Sequence, residues 1–151
     1  MPIQRMLVPL DFSPYAEQAL AYAIDLAQTL RAHFTLLHVI HLIPLAMGDM
    51  LASSLAVYLQ VVETEAQQQM HTAQARVQQV GLRCDTLIVQ GVPFQTIVDT
   101  ARDREVDLIV MGTHGRTGLT HVLMGSVAEK VVRLAPCPVL VTRESTEAAT
   151  A

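Results

Sequence analysis

The chain has 151 residues, 51% of them hydrophobic, and a formal charge of −4; this length suits one core, and this apolar content excludes a disordered polymer. Ten Lys and Arg stand against fourteen Asp and Glu, with no basic cluster to follow phosphates, which excludes a nucleic-acid surface. The two cysteines, Cys84 and Cys137, lie outside any Cys-x-x-Cys spacing, so neither a zinc site nor a disulfide framework is expected, and a reducing cytoplasm fits.

The N-terminus reaches Asp11 without a long apolar run, so no secretory signal is expected. QRMLVPL (4–10) predicts a strand ending in Pro9, and DFSP places Ser13 to cap a helix whose first residue is Pro14. Ala16, Ala19, Leu20, Ala23, Ala27 and Leu30 share one face of that helix, and HFTLLHVI (33–40) predicts a second strand. Residues 42–62, LIPLAMGDMLASSLAVYLQVV, are long enough to cross a bilayer. Asp49 would cost about 2.5–3.5 kcal/mol there, and Pro44, Gly48, Ser53 and Ser54 break the stretch. No membrane span is therefore expected; a lid or partner-facing loop followed by a helix start is.

From Leu55 the apolar positions Leu59, Val62, Ala66, Met70, Ala73, Val77 and Val80 advance in steps of three and four until Gly81, which predicts a long amphipathic helix. CDTLIVQ (84–90) predicts a third strand, and GVP opens a short helix with Phe94, Ile97, Val98 and Ala101 on its buried stripe. VDLIVM (106–111), apolar almost throughout, fits a central parallel strand. A helix over about 126–134 precedes the last strand, PCPVLVTR (136–143), which Pro136 and Pro138 push toward a sheet edge or an interface. The tail 144–151 has no apolar anchor and is expected to be disordered.

Five strands alternating with four helices predict one α/β domain over residues 1–143, an open five-stranded parallel sheet with helices on both faces in a Rossmann-like three-layer sandwich. Such sheets bind ligands beyond the carboxyl ends of their strands, where the winding direction reverses. Two loops belong to that end, VPLDFS after the first strand and GTHGRTGLTHVLMGS after the fourth.

The second loop holds Gly112, Gly115, Gly118 and Gly125 out of seven glycines in the chain. A helix beginning at Ser126 offers unpaired amides and the positive end of its dipole, and flanking glycines let an anion approach without a Cβ in the way. The spacing suits a polyphosphate. It is neither a Walker A loop nor a Gly-x-Gly-x-x-Gly fingerprint, and the usual phosphate lysine is missing. Arg116, the only Lys or Arg between Gly112 and Lys130, could meet a phosphate or an acidic partner equally well. Ser126 and Glu129 also form Ser-x-x-Glu, a capping box that would need no ligand, and pattern leaves both readings open. Asp11 has a similar alternative in supporting its own turn and the first helix. His114 and His121 flank the loop without an evident carboxylate to orient them, so no catalytic role is expected. His33, His38, His41 and His71 lack metal-ligand spacing, and Cys137 suits a buried structural thiol. Met47, Met50 and Met70 suit either a pliable contact surface or core filling.

Together, RMLVPLDFS, DLIVMG and GTHGRTGLTHVLMGSVAEKVVRLAPCPVLVTR resemble the universal stress protein family over residues 3–143. The likeness is to its ATP-binding branch, whose signature Gly-x-x-Gly, nine residues, then Gly-Ser or Gly-Thr is met by Gly112, Gly115, Gly125 and Ser126. The resemblance implies an adenine nucleotide alpha hydrolase-like fold, ATP as ligand with Mg²⁺ beside it, a homodimer through the last strand, and a cytoplasmic stress response exerted through an unknown protein partner. Carried over by residue, it implies that Gly112, Gly115, Gly125, Ser126 and Val127 hold ribose and phosphates, with His114 and Arg116 in the same loop. Pro9, Leu10 and Asp11 would line the adenosine side, Val39 would meet the adenine edge through its backbone, and Met111 would pack on the base. Asp11 is the one candidate magnesium ligand, and no residue is implied as catalytic. A slow ATPase or phosphotransferase and a nucleotide-free dimeric interaction module are the alternative readings. Residues 41–60 match no motif of the family.

Overall fold

The computed structural model describes residues 2–42, 52–115 and 124–143. Met6, Leu7 and Val8 have no exposed surface, so strand β1 (Arg5–Pro9) sits mid-sheet with both faces covered. It pairs in parallel with β2 (His33–Ile40), from Arg5 opposite His33 to Pro9 opposite Leu37. Its other side pairs with β4 (Leu108–Gly112), Met6 opposite Leu108. β3 (Cys84–Gln90) flanks β2, and β5 (Val139–Thr142) flanks β4 at the opposite edge, giving the order β3-β2-β1-β4-β5, parallel throughout. The edge position that Pro136 and Pro138 predict for the last strand is the observed one.

Side chains alternate across the strands, and that alternation sorts the helices into two layers. Met6, Val8, Phe34, Leu36, Leu108 and Val110 pack under α1 (Pro14–Leu30) and α2 (Ala52–Gln79). Leu7, Leu37, Ile109 and Met111 pack under α3 (Pro93–Asp103) and α4 (Ser126–Leu134). The expected three-layer sandwich is thus present. Its winding reverses between β1 and β4, because the chain steps outward through β2 and β3 on one side and through β5 on the other.

Local signals account for most boundaries. Ser13 caps α1, its Oγ accepting the Ala16 amide at 3.2 Å, with Pro14 in the first turn. Gly81 follows α2 with φ +80°, the left-handed conformation that ends helices. Differences lie at the helix ends. α2 begins at Ala52, before the expected Leu55, but its buried stripe starts only at Ala66, leaving Leu55, Val57, Tyr58 and Val61 exposed. Its 28 residues extend about 42 Å, whereas an eight-residue strand such as β2 covers about 26 Å, so the helix outruns the sheet. Leu30 and Val80, placed on buried stripes by spacing, are also exposed: Leu30 is the last residue of α1, and Val80 lies one residue past α2. Of the three methionines singled out by the sequence, Met70 is core, and Met47 and Met50 lie outside the described residues, as does the tail 144–151. Among the described residues, no helix is long and apolar enough to cross a membrane.

Candidate functional site

The loops leaving β1 and β4 emerge side by side at the reversal point. In the first, the Leu10 amide donates to the Leu37 carbonyl at 2.8 Å, extending the β1–β2 ladder one residue past the strand. Asp11 then turns the chain, with its Oδ1 accepting the Ser13 amide at 3.0 Å. Phe12 between them has φ +62°, a left-handed conformation costing a non-glycine residue about 1–2 kcal/mol, so its surroundings must hold it. One of those surroundings is His38 on β2. Its ring stacks on Phe12 at 4.5 Å and 28°, and its Nδ1 lies 2.7 Å from the Leu10 carbonyl. A carbonyl can only accept, so Nδ1 carries the proton and donates.

The second loop is tied at both ends through backbone. The Thr113 amide donates to the Thr142 carbonyl at 3.1 Å, and the Gly125 amide donates to the Thr113 carbonyl at 2.7 Å, drawing the start and finish of the glycine segment together. Gly125 is closely packed: a Cβ there would lie 3.1 Å from the Thr113 oxygen and 3.4 Å from the His114 Cα, so the loop would have to give by a few tenths of an ångström. At Gly112 the constraint comes from the fold: a Cβ would stand 2.9 Å from both the Cβ and the carbonyl oxygen of Tyr15 in the first turn of α1. At Gly115 it comes from the other loop, where a Cβ would fall 2.6 Å from Asp11 Oδ2. The two loops therefore touch at Asp11 and Gly115. His114 shares a hydrogen bond with the Thr113 hydroxyl (Nδ1 to Oγ1, 3.1 Å), and its ring lies 5.4 Å from that of Tyr15.

Of the two readings left open for Ser126 and Glu129, the capping box is not formed. The N-cap of α4 is Gly125, at φ −68° and ψ 160°, and among the described residues no side chain caps the helix. The helix starts one residue earlier than that box requires, so Ser126 is its first residue and not its cap, and Glu129 turns outward to pair with Arg133. The Glu129 amide is satisfied by the Gly125 carbonyl at 3.0 Å, while the amides of Ser126, Val127 and Ala128 precede the first intrahelical bond. These amides and the helix dipole put positive potential beside Gly115 and Gly125.

Of the other residues singled out by sequence, Ser126 is exposed, Pro9, Val39 and Val127 are half-buried, and Leu10 is buried. Met111 is buried in the layer beneath α3 and α4. Arg116 and His121 lie outside the described residues. Lys130 is turned toward α3, its Nζ 4.7 Å from the Phe94 ring centre. Asp11 serves its turn through Oδ1, as the alternative reading of that residue expects, while Oδ2 faces the second loop. Among the described residues, no group of three or more His, Cys, Asp or Glu is placed to hold a metal ion. One carboxylate next to a helix amino end still fits magnesium that arrives on a polyphosphate, since that ion commonly keeps most of its water and takes one or two carboxylates. Sequence reasoning set His38 aside for want of metal spacing; the available signal was an imidazole on the same strand face as Phe34 and Leu36.

Residues 2–143 match the model of the universal stress protein family. Universal stress protein MJ0531 of Methanocaldococcus jannaschii is 33% identical over 141 residues, covering 93% of this chain and 82% of that protein. The solved structure of MJ0577, from the same organism, superposes with a TM-score of 0.87 at 32% identity, covering 97% of this chain and 99% of that one. The universal stress protein of Archaeoglobus fulgidus, solved in complex with dAMP, shares the fold at a TM-score of 0.65 and 22% identity, covering 93% and 98%.

Proposed function

This chain belongs to the universal stress protein family, and we propose that it is an ATP-binding member whose nucleotide state controls the surface it offers to a protein partner. The observation that carries this reading is the amino end of α4, which has no side-chain cap among the described residues, set beside a glycine loop whose ends are clipped together by the Gly125 and Thr113 backbone. Unpaired amides, a positive helix end and glycine backbones of close approach are what a phosphate chain needs. In this reading Gly115, Gly125, Ser126 and Val127 hold phosphates and ribose, with His114 and Arg116 at the same loop. Gly112 sets the loop's departure from β4. Leu10 and Asp11 with Pro9 form the adenosine wall, the Val39 backbone meets the base edge, and Met111 supports it from the core. Mg²⁺ accompanies the triphosphate with Asp11 as its carboxylate, supplying charge neutralisation.

We place the activity in residues 1–143 as one domain acting in the cytoplasm, paired with a second copy through β5. Nucleotide can shift the offered surface only by binding one arrangement of the crevice more tightly than another. The binding claim is tested on pure protein by heating it, identifying any released nucleotide by chromatography, and recording the melting temperature with Mg-ATP. Saturating ATP at 100 times its Kd should add about 2.7 kcal/mol of stability. Protein that releases nothing and melts identically with and without Mg-ATP rejects the proposal.

A further inference from the structure

We propose that His38 is a positioning residue for this crevice: by holding the Leu10 carbonyl and the Phe12 ring it fixes the loop after β1 so that Asp11 meets Gly115. The inference rests on the ATP-binding reading for its consequence, but its geometric part stands on the contacts themselves. His38 is 7% exposed and anchored in β2, which is hydrogen-bonded on both sides within the sheet. From that rigid base its Nδ1 reaches the Leu10 carbonyl at 2.7 Å and its ring covers Phe12 at 4.5 Å. Phe12 holds φ +62°, which a phenylalanine keeps only where its neighbours over-determine it. Asp11 lies between these two held residues, pinned on one side by the Ser13 amide at 3.0 Å, and its Oδ2 lies 2.6 Å from where a Cβ on Gly115 would be.

Every link from strand to crevice is thus a contact, and the imidazole makes two of them. A histidine that merely filled the core would need neither a donor at the δ position nor a partner in a strained loop. A preformed wall binds more tightly than one that must be ordered on binding, so loss of the strut should appear as weaker binding at nearly unchanged fold.

Three variants separate these roles. Asn at 38 places an amide nitrogen where Nδ1 stands; Gln moves the donor one bond outward; Phe keeps the ring and stack but removes the donor. In calorimetric titrations with Mg-ATP, His38→Asn should bind within about threefold of the parent, and His38→Gln and His38→Phe about tenfold or more weaker, the scale of one lost hydrogen bond. In nucleotide-free protein, the ¹⁵N resonances of the His38 ring should report a protonated Nδ1. The Gly115 amide resonance should shift or broaden in His38→Gln and His38→Phe but not in His38→Asn. Parent-like affinity in both His38→Gln and His38→Phe, or an Asn variant as weak as they are, overturns the inference. Should the parent itself ignore Mg-ATP, the ATP-binding reading fails separately, and an unmoved Gly115 resonance in His38→Gln and His38→Phe would still overturn the positioning role.

Discussion

At the amino end of the sheet, polar groups close on one another through side chains. Asp85 faces His33 at 3.0 Å and Arg104 at 3.6 Å, Arg5 pairs with Glu105, and the Asp107 carboxylate accepts the amides of Gln4 and Arg5 at 2.9 and 2.8 Å. At the carboxyl end, side chains hold the first loop, through His38 on the Leu10 carbonyl and Asp11 on the Ser13 amide, but the glycine loop is closed through backbone: Thr113 to Thr142 and Gly125 to Thr113. A cleft of about 340 Å³ opens at the amino end, lined by Arg5, His33, Thr35, Asp85, Arg104 and Val106. Its charged groups already answer each other, so its size does not make it a binding site. Where side chains pair, binding capacity is used up; where backbone pairs and the helix cap is a glycine, amides remain to be met.

The sharpest way to break this comparison is within the glycine motif itself. Gly112→Val drives a branched side chain into the Tyr15 backbone, 2.9 Å from the Cβ position, and neither α1 nor β4 can yield. A loss of about 3 kcal/mol in urea unfolding is expected. If Gly112→Val melts like the parent yet loses nucleotide, Gly112 belongs to the ligand and not to helix packing.

Gly115→Ala should behave in the opposite way. Its Cβ meets the far end of a flexible side chain, Asp11 Oδ2 at 2.6 Å, which can swing aside. Stability should change by less than about 1 kcal/mol, while Mg-ATP affinity falls about tenfold as Asp11 leaves the crevice wall. Unchanged affinity in a calorimetric titration would remove Asp11 from the site.

How far this division can be read from sequence depends on the residue. Strands and helices were legible because their apolar spacing and their stop signals agree: Ser13 and Pro14 open α1, and Gly81 closes α2. The crevice was legible as two loops, because an alternating strand–helix pattern puts both at the carboxyl end. What joins them was not, since the Asp11–Gly115 contact depends on β1 lying beside β4, residues about a hundred positions apart. The cap of α4 stayed open because Ser-x-x-Glu is a local pattern, while the Thr113 carbonyl holding the Gly125 amide leaves no such pattern. His38 was passed over because its partners are a carbonyl and a ring, neither of which leaves a spacing signature.

A smaller effect is expected at the amino end, and it depends on pH. The Gln4 amide, more than its own partial burial opposes, pulls the Asp107 carboxyl below its ordinary value of 3.8, helped by the Arg5 amide and guanidinium. The folded value is depressed, so the stabilisation is present above about pH 4 and is lost as pH falls through the folded value. Asp107→Asn should cost about 1 kcal/mol at pH 7, flatten the acid limb of a pH–stability curve, and leave Mg-ATP affinity unchanged. An altered affinity would show that the two ends are coupled.

The smallest effect belongs to the Arg5–Glu105 pair. Its side chains are 48% and 78% exposed, so water and salt screen the attraction and two long side chains must be ordered to make it. Glu105→Gln should change stability by no more than about 0.5 kcal/mol, and the difference should shrink further in 0.5 M salt because the Debye length there falls to only a few ångströms. Urea unfolding at two salt concentrations measures both quantities. A loss above about 1 kcal/mol that persists in salt would mean the pair acts as part of a larger network through Glu105, whose φ of +49° places it at the turn between α3 and β4. The amino end would then resemble the carboxyl end in relying on a held turn, and the contrast between side-chain pairing and backbone pairing would have to be redrawn around Glu105 and Phe12, two left-handed residues at opposite ends of the sheet.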